Sequence, residues 1–214
     1  HGAHLVARAS GTLWWPEARL LVVSDLHLGK SERMARRGGA LLPPYESLET
    51  LNRLALDITE LEPKTVVCLG DSFDDLAAER ALEEDSRLRL AALMGGRRWI
   101  WIEGNHDAGP VLIGGTHMAA LERGPLTFRH IADPSAPAGE VSGHYHPKHK
   151  LVIRGRLISR PAFLIAPEKI ILPAFGLYTG GLPTLSDALL PLTGPGTLAV
   201  MTGPKAYAVP LVGP

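Results

Sequence analysis

The sequence predicts an α/β architecture in its first half and a β-rich second half. Three observations carry that expectation. Apolar strand runs alternate with helical patterns up to about residue 117. Chemistry-bearing polar residues fall where those strands end. Beyond residue 117, Gly and Pro punctuate short β-rich runs and no convincing helix follows. The 214 residues suit one domain over 1–214, and no internal repeat or low-complexity segment divides it. Residues 133–139 come nearest to a linker, but they are short enough for a loop.

In chain order, residues 5–9 and 12–15 read as a hairpin around Ser10-Gly11. Arg19-Leu-Leu-Val-Val-Ser24 is a continuous apolar run ending in Asp25, the pattern of a strand buried on both faces. Pro43-Pro44 suits the start of a helix running to about Leu61, because Leu48, Leu51, Leu54, Ile58 and Leu61 form one stripe at three- and four-residue steps. Thr65-Val-Val-Cys-Leu69 is a second buried strand, 77–94 a second helix, and Trp99-Ile-Trp-Ile102 a third strand. The later runs, at 126–130, 139–143, 150–154, 162–166, 169–172, 197–201 and 206–211, read as mostly antiparallel strands. Gly203-Pro204-Lys205 is the expected turn of a closing hairpin.

Composition narrows the function classes. Lys+Arg and Asp+Glu are both 22, so the chain is not a generally basic coat for nucleic acid. One cysteine excludes a disulfide framework, and Cys68, within an apolar run, reads as a core residue. Charges, Pro or Gly interrupt every apolar run, so no membrane span is expected. His1-Gly2-Ala3-His4 lacks the pattern of an export signal, which makes the cytoplasm the expected location and leaves His1 and His4 without a role. Nine histidines are about twice the usual share.

Those histidines fall beside carboxylates. Asp25-Leu-His27 closes the first strand, Gly70-Asp71 the second and Gly104-Asn105-His106-Asp107 the third. In an open α/β sheet, ligands gather beyond the carboxyl ends of the strands. Residues two apart on a strand share a face, so Asp25 with His27, and His144 with His146, are expected to converge through the pleat. His130 closes the run Leu126-Thr-Phe-Arg-His, and Gly143-His144-Tyr-His146 follows. Mixed nitrogen and oxygen donors suit manganese, iron, zinc, cobalt or nickel rather than calcium.

In this order the motifs resemble the signature of the calcineurin-like metallophosphoesterase superfamily. That resemblance implies a four-layer α/β/β/α sandwich of two mixed β-sheets flanked by helices. It also implies two divalent metal ions, with manganese the expected choice. Asp25, His27, Asp71 and His146 would hold one ion. Asp71, Asn105, His130 and His144 would hold the other, with Asp71 bridging. His130 is preferred over His117 as a ligand. His106 would protonate the leaving oxygen or bind a phosphoryl oxygen. Asp107 would orient the His106 imidazole, cap a following helix, or both. His149, between two lysines, reads as solvated or phosphate-facing.

Ser24-Asp-Leu-His-Leu-Gly-Lys30, Leu42-Pro-Pro44, Gly143-His-Tyr-His-Pro147 and 172–181 are similar to a bacterial subgroup, the ligase-associated DNA damage response phosphoesterases. That likeness implies phosphodiester cleavage in DNA, beside an ATP-dependent DNA ligase, a DEXH-box helicase and an exonuclease. The alternatives are small nucleotides, cyclic nucleotides or nucleotide-lipids as substrates, or a metal-binding repair scaffold without catalysis. Two basic clusters fit a phosphate backbone: Lys30, Arg33, Arg36 and Arg37, and the stretch 141–170, where Lys148 and Lys150 lead six cations against Glu168. Lys30, Arg33, Lys148 and Lys150 are the expected substrate-phosphate contacts. Gly70-Asp-Ser-Phe-Asp-Asp75 is more acidic than expected for such a substrate.

Overall fold

A computed structural model describes residues 2–211; His1 lies outside them. The opening hairpin forms as expected, with β1 (Val6–Ala7) and β2 (Leu13–Trp15) antiparallel, and β2 pairs β3 (Leu20–Val23). The parallel strands β4 (Thr65–Leu69), β5 (Arg98–Ile102) and β6 (Thr116–Met118) complete a six-stranded sheet in sequence order. Every residue of β3 is buried, because apolar layers cover both faces of the sheet. Parallel neighbours need long crossovers, and helices supply them. Between β3 and β4 run α1 (Lys30–Arg36) and α2 (Glu46–Leu61). The α2 stripe buries Leu51, Leu54, Ala55 and Ile58 against the sheet, and Glu62 ends the helix in the left-handed region, at φ 47°, just before Pro63.

Between β4 and β5 the chain makes two helices, where one over 77–94 was expected. They are α3 (Leu76–Arg80) and α4 (Glu84–Met94). Asp75 accepts a hydrogen bond from the Ala78 amide and starts α3, which stops after barely a turn as Leu82 drops into the core. The acidic run Glu83-Glu84-Asp85 then begins a new helix, where negative charge meets the positive end of the helix dipole. Sequence reading left out α1, β6 and the strand at Ala120–Arg123.

The second sheet contains β7 (Ala120–Arg123), β8 (Leu126–Arg129), β9 (Glu140–Ser142), β10 (Lys148–Ile153), β11 (Arg156–Ile165), β12 (Lys169–Ile171), β13 (Leu198–Met201) and β14 (Tyr207–Pro210). Its order is β14-β13-β11-β12-β9-β8-β7, with β10 paired to β11 alone. The closing hairpin of β13 and β14 turns at 202–206, as expected. The second half is mostly antiparallel, as expected, with β9 the exception: it runs parallel to both β8 and β12. Directions are therefore mixed in both sheets.

The apolar side chains fall into layers. Leu21, Val23, Val66 and Trp101 pack under α2 and α4. Leu13, Val22, Val67, Phe128 and Phe163 fill the space between the sheets, and Leu164, Ile171, Leu189 and Leu192 cover the outer face of the second. This is the four-layer sandwich, its last layer thinned to coil and one 3-10 turn at Leu190–Leu192. Among the described residues no helix is long and apolar enough to cross a membrane.

Candidate metal centre

Five strands, parallel to one another within each sheet, end at one edge of the sandwich. β3 delivers Asp25 and His27, β4 Asp71, and β5 Asn105 and His106; β8 and β9 of the other sheet deliver His130, His144 and His146. The parallel β8–β9 pair explains how the second sheet contributes at all. Antiparallel neighbours would have put the two sets of histidines at opposite ends.

Convergence does not come from the strand pleat. Asp25, His27, Asp71, His144 and His146 lie just past the strand ends with φ between 46° and 71°, the left-handed region. Non-glycine residues avoid that region, and five of the nine such residues among those described belong to this one site. The motif glycines are needed for close approach. A Cβ on Gly70 would strike the His130 imidazole, and one on Gly104 would strike the Asp71 backbone nitrogen.

Two donor groups match the ligand sets that the motifs imply; a third, His27, Asp74 and His106, shares His27 with the first. In the first, Asp25, His27 and His146 each bring a ligand atom within 4.8 Å of the others. His146 Nε2 lies 3.1 Å from Asp25 Oδ1 and 3.4 Å from His27 Nε2. Asp25 Oδ2 accepts from the Ser24 hydroxyl and from the His144 amide at 3.0 Å. Asp25 Oδ1 is buried without a hydrogen bond. In the second group, Asp71, His130 and His144 converge in the same way. His130 Nε2 is 3.0 Å from Asn105 Oδ1, 3.1 Å from His144 Nδ1 and 3.4 Å from Asp71 Oδ2.

Outer hydrogen bonds set the histidine tautomers. His27 Nδ1 donates to Asp74 Oδ1 at 2.8 Å, and His130 Nδ1 to the Leu69 carbonyl at 2.7 Å. Each ring then turns the lone pair of Nε2 toward other acceptors. Acceptors crowding acceptors, with a buried carboxylate oxygen unsatisfied, is the donor chemistry of a cation site, so the residues fit the ions that the motifs imply. Burial alone would raise the pKa of Asp71, but His130 and the His106 amide outweigh it and hold that carboxylate at about 2. Asp25 is likewise held below its ordinary value, burial being overcome by His146, His130 and Ser24.

Several expectations about individual side chains change. Asp107 does not touch the His106 imidazole and caps no helix. Its Oδ1 accepts from the Asp71 and Gly104 amides at 3.0 and 3.1 Å, and its Oδ2 from Ser72 and Phe73 at 2.7 and 3.2 Å. It fixes the backbone that carries Asp71. Burial raises its pKa against the Phe73, Ser72 and Gly104 amides, and the nearby Asp71 charge adds to the rise. The His106 imidazole is oriented instead by the Asp74 carbonyl, 2.9 Å from Nδ1. His117 lies in β6, where its Nε2 accepts from the Val111 amide at 3.0 Å, away from both donor groups. His149 is buried with Nδ1 2.8 Å from Thr184 Oγ1, rather than solvated.

Lys30 and Arg33 are not free phosphate contacts. They reach Asp74 at 3.4 and 2.8 Å, while Arg36 and Arg37 pair with Asp75. Lys148 donates to the Thr179 carbonyl at 3.2 Å, whereas Lys150 is exposed. Sequence reading missed Asp74, which is fully buried and holds His27, Lys30 and Arg33 with its carboxylate. The available signal was an unexpected Asp three residues after Asp71, facing a run of four cations in the sequence.

The family model for calcineurin-like phosphoesterases matches residues 18–165. The solved Pseudomonas putida nuclease MPE is 26% identical and superposes with a TM-score of 0.73, covering 98% of this chain and 96% of that one. The E. coli phosphoesterase Yfce is 14% identical, with a TM-score of 0.44 and coverage of 90% and 99%. No curated protein matches. Strand-end motifs, donor groups and matched span together show that the chain belongs to the calcineurin-like phosphoesterases, a family of metal-dependent phosphoester hydrolases.

Proposed function

We propose that this protein cleaves phosphodiester bonds in DNA in the course of repair, with manganese as the working metal. The observation that carries this reading is the likeness, over nearly the whole of both chains, to a solved nuclease. Similarity to the ligase-associated subgroup extends it to work beside an ATP-dependent ligase, a DEXH-box helicase and an exonuclease in the cytoplasm. The same reading takes the chain as a single domain, supported by the apolar layer that both sheets share.

Asp25, His27, Asp71 and His146 would hold one ion, and Asp71, Asn105, His130 and His144 the second. When bound, the two ions supply Lewis-acid chemistry: they acidify a water and neutralise phosphate charge. The protein's own groups do the rest. Asp74 holds the His27 ring by its carboxylate and the His106 ring by its carbonyl. His106, with Nδ1–H committed there, presents Nε2, which in the imidazolium form carries the proton that would pass to the leaving oxygen. Asp107 restrains the Asp71–Phe73 backbone, so the would-be bridging carboxylate does not drift.

The test is a substrate panel with manganese: nicked and single-stranded DNA, bis-p-nitrophenyl phosphate and a phosphomonoester, with His106→Ala in parallel. Cleavage of DNA and of the small diester, slowed in His106→Ala, is the expected result. Monoester turnover without diester cleavage would refute the nuclease reading.

A further inference from the structure

The β10–β11 ribbon stands apart from the rest of the second sheet. Residues 156–161 pair with β10 alone, since β12 and β13 join β11 only from Ala162 onward. An isolated two-stranded ribbon is marginal in water, so one that exposes apolar residues calls for an explanation. Directly opposed residues share a face. Val152 and Leu157 form such a pair, 70% and 66% exposed, with Lys150 on the same face. Ile153 and Arg156 form the exposed pair on the other face, and Arg160 lies opposite His149.

Charge on the ribbon is of one sign. Lys148, Lys150, Arg154, Arg156 and Arg160 stand between residues 148 and 160 without one acidic residue. Lys150, Arg154, Arg156 and Arg160 are exposed and have no side-chain partner among the described residues. The tip is a tight turn, with Arg154 at φ 50° and Gly155 at φ 74°, both left-handed as a two-residue hairpin of the favoured hand requires. The root begins two residues after His146 of the candidate metal centre. From there β10 extends about 17 Å.

We infer that this ribbon is a duplex-DNA binding element that enters the major groove beside the hydrolytic site. It rests on the nuclease reading and specifies how the substrate is held. A two-stranded ribbon fits that groove: Lys150 and the exposed Val152–Leu157 pair, on one face, meet the base edges, while Arg154 at the tip and the long side chains of Arg156 and Arg160, on the opposite face, reach round the ribbon's edges to the flanking phosphates.

The test measures binding of a labelled DNA duplex across a salt series, in an Asp71→Asn background so that the duplex survives the titration. The variant Arg154→Asn/Arg156→Ser/Arg160→Ser uses Asn at the tip because Asn tolerates the left-handed region. Losing three phosphate contacts is expected to make the slope of log K against log salt shallower by about 2.7, with affinity down by more than about tenfold at physiological salt. An all-lysine version of the three sites should keep the slope. Val152→Ser/Leu157→Ser should weaken binding without changing the slope. In otherwise wild-type protein, the three-site variant should turn over bis-p-nitrophenyl phosphate as before. An unchanged slope in that variant overturns the inference while leaving the nuclease reading intact. Ribbon-dependent binding to single strands only, or to anionic vesicles but not DNA, overturns it in favour of those occupants. Protein that cleaves the small diester but neither binds nor cuts DNA overturns the inference and the nuclease reading together.

Discussion

Two basic clusters that look equivalent in sequence are opposites in the folded chain. Lys30, Arg33, Arg36 and Arg37 are all paired with Asp74 or Asp75, with Asp74 fully buried and the Lys30 and Arg33 side chains 20% exposed. Lys150, Arg154, Arg156 and Arg160 face solvent without a partner among the described residues. The first cluster braces the site through Asp74, which also holds His27. The second is charge left available for something outside the chain. The acidic run after Gly70, which looked hostile to a polyanionic substrate, is consumed by this pairing and does not face that substrate as bare charge. Counting charges along the chain cannot separate bracing from recognition; their partners can.

Breaking the bracing should have the largest effect. Asp74→Ala removes the orienting carboxylate from His27 and releases two cations, and outer partners of metal-binding histidines typically carry about 10–100-fold in metal affinity or activity. Diester hydrolysis as a function of manganese concentration checks it. The next effect is on stability. Divalent metal at about 100 times its dissociation constant contributes about 2.7 kcal/mol, which raises the melting temperature of a domain this size by about 5–10 °C. Thermal melts with and without chelator should show that rise in wild type and in the ribbon variants, and a smaller one in Asp74→Ala.

Charge removed from the rim of the braced cluster should matter little. Arg36→Ala deletes exposed, solvent-screened pairs with Glu32 and Asp75, and should leave both diester hydrolysis and the salt slope of DNA binding unchanged, unlike the ribbon substitutions. A shallower slope would erase the contrast between the clusters. The smallest effect is at Cys68. Burial, with the Asp107 charge adding to it, pushes this thiol well above its ordinary range, so a disulfide reagent should label it only on unfolding, as a thiol-release time course would show.

The parallel core of the first sheet was legible because buried strands read as unbroken apolar runs and α2 carries a single stripe. Positions for the eight candidate site residues were legible because they sit in short motifs at strand ends. The helix break at 81–83 was not, since Ala and Leu support helix across it and only the burial of Leu82 interrupts it. Nor was the direction of β9: strand pairing is a long-range choice that a short β-rich run does not encode. The roles of Asp74, Asp107 and His149 depended on which backbone groups and side chains lie nearby, and local sequence does not report that.

The most direct test of the account measures bound metal and diester hydrolysis together, in wild type and in Asp71→Asn. Two manganese ions per wild-type chain, hydrolysis lost on chelation and restored by manganese, and both metal content and rate collapsed in Asp71→Asn are the expected results. Full hydrolysis by metal-free protein, or by Asp71→Asn, would contradict it.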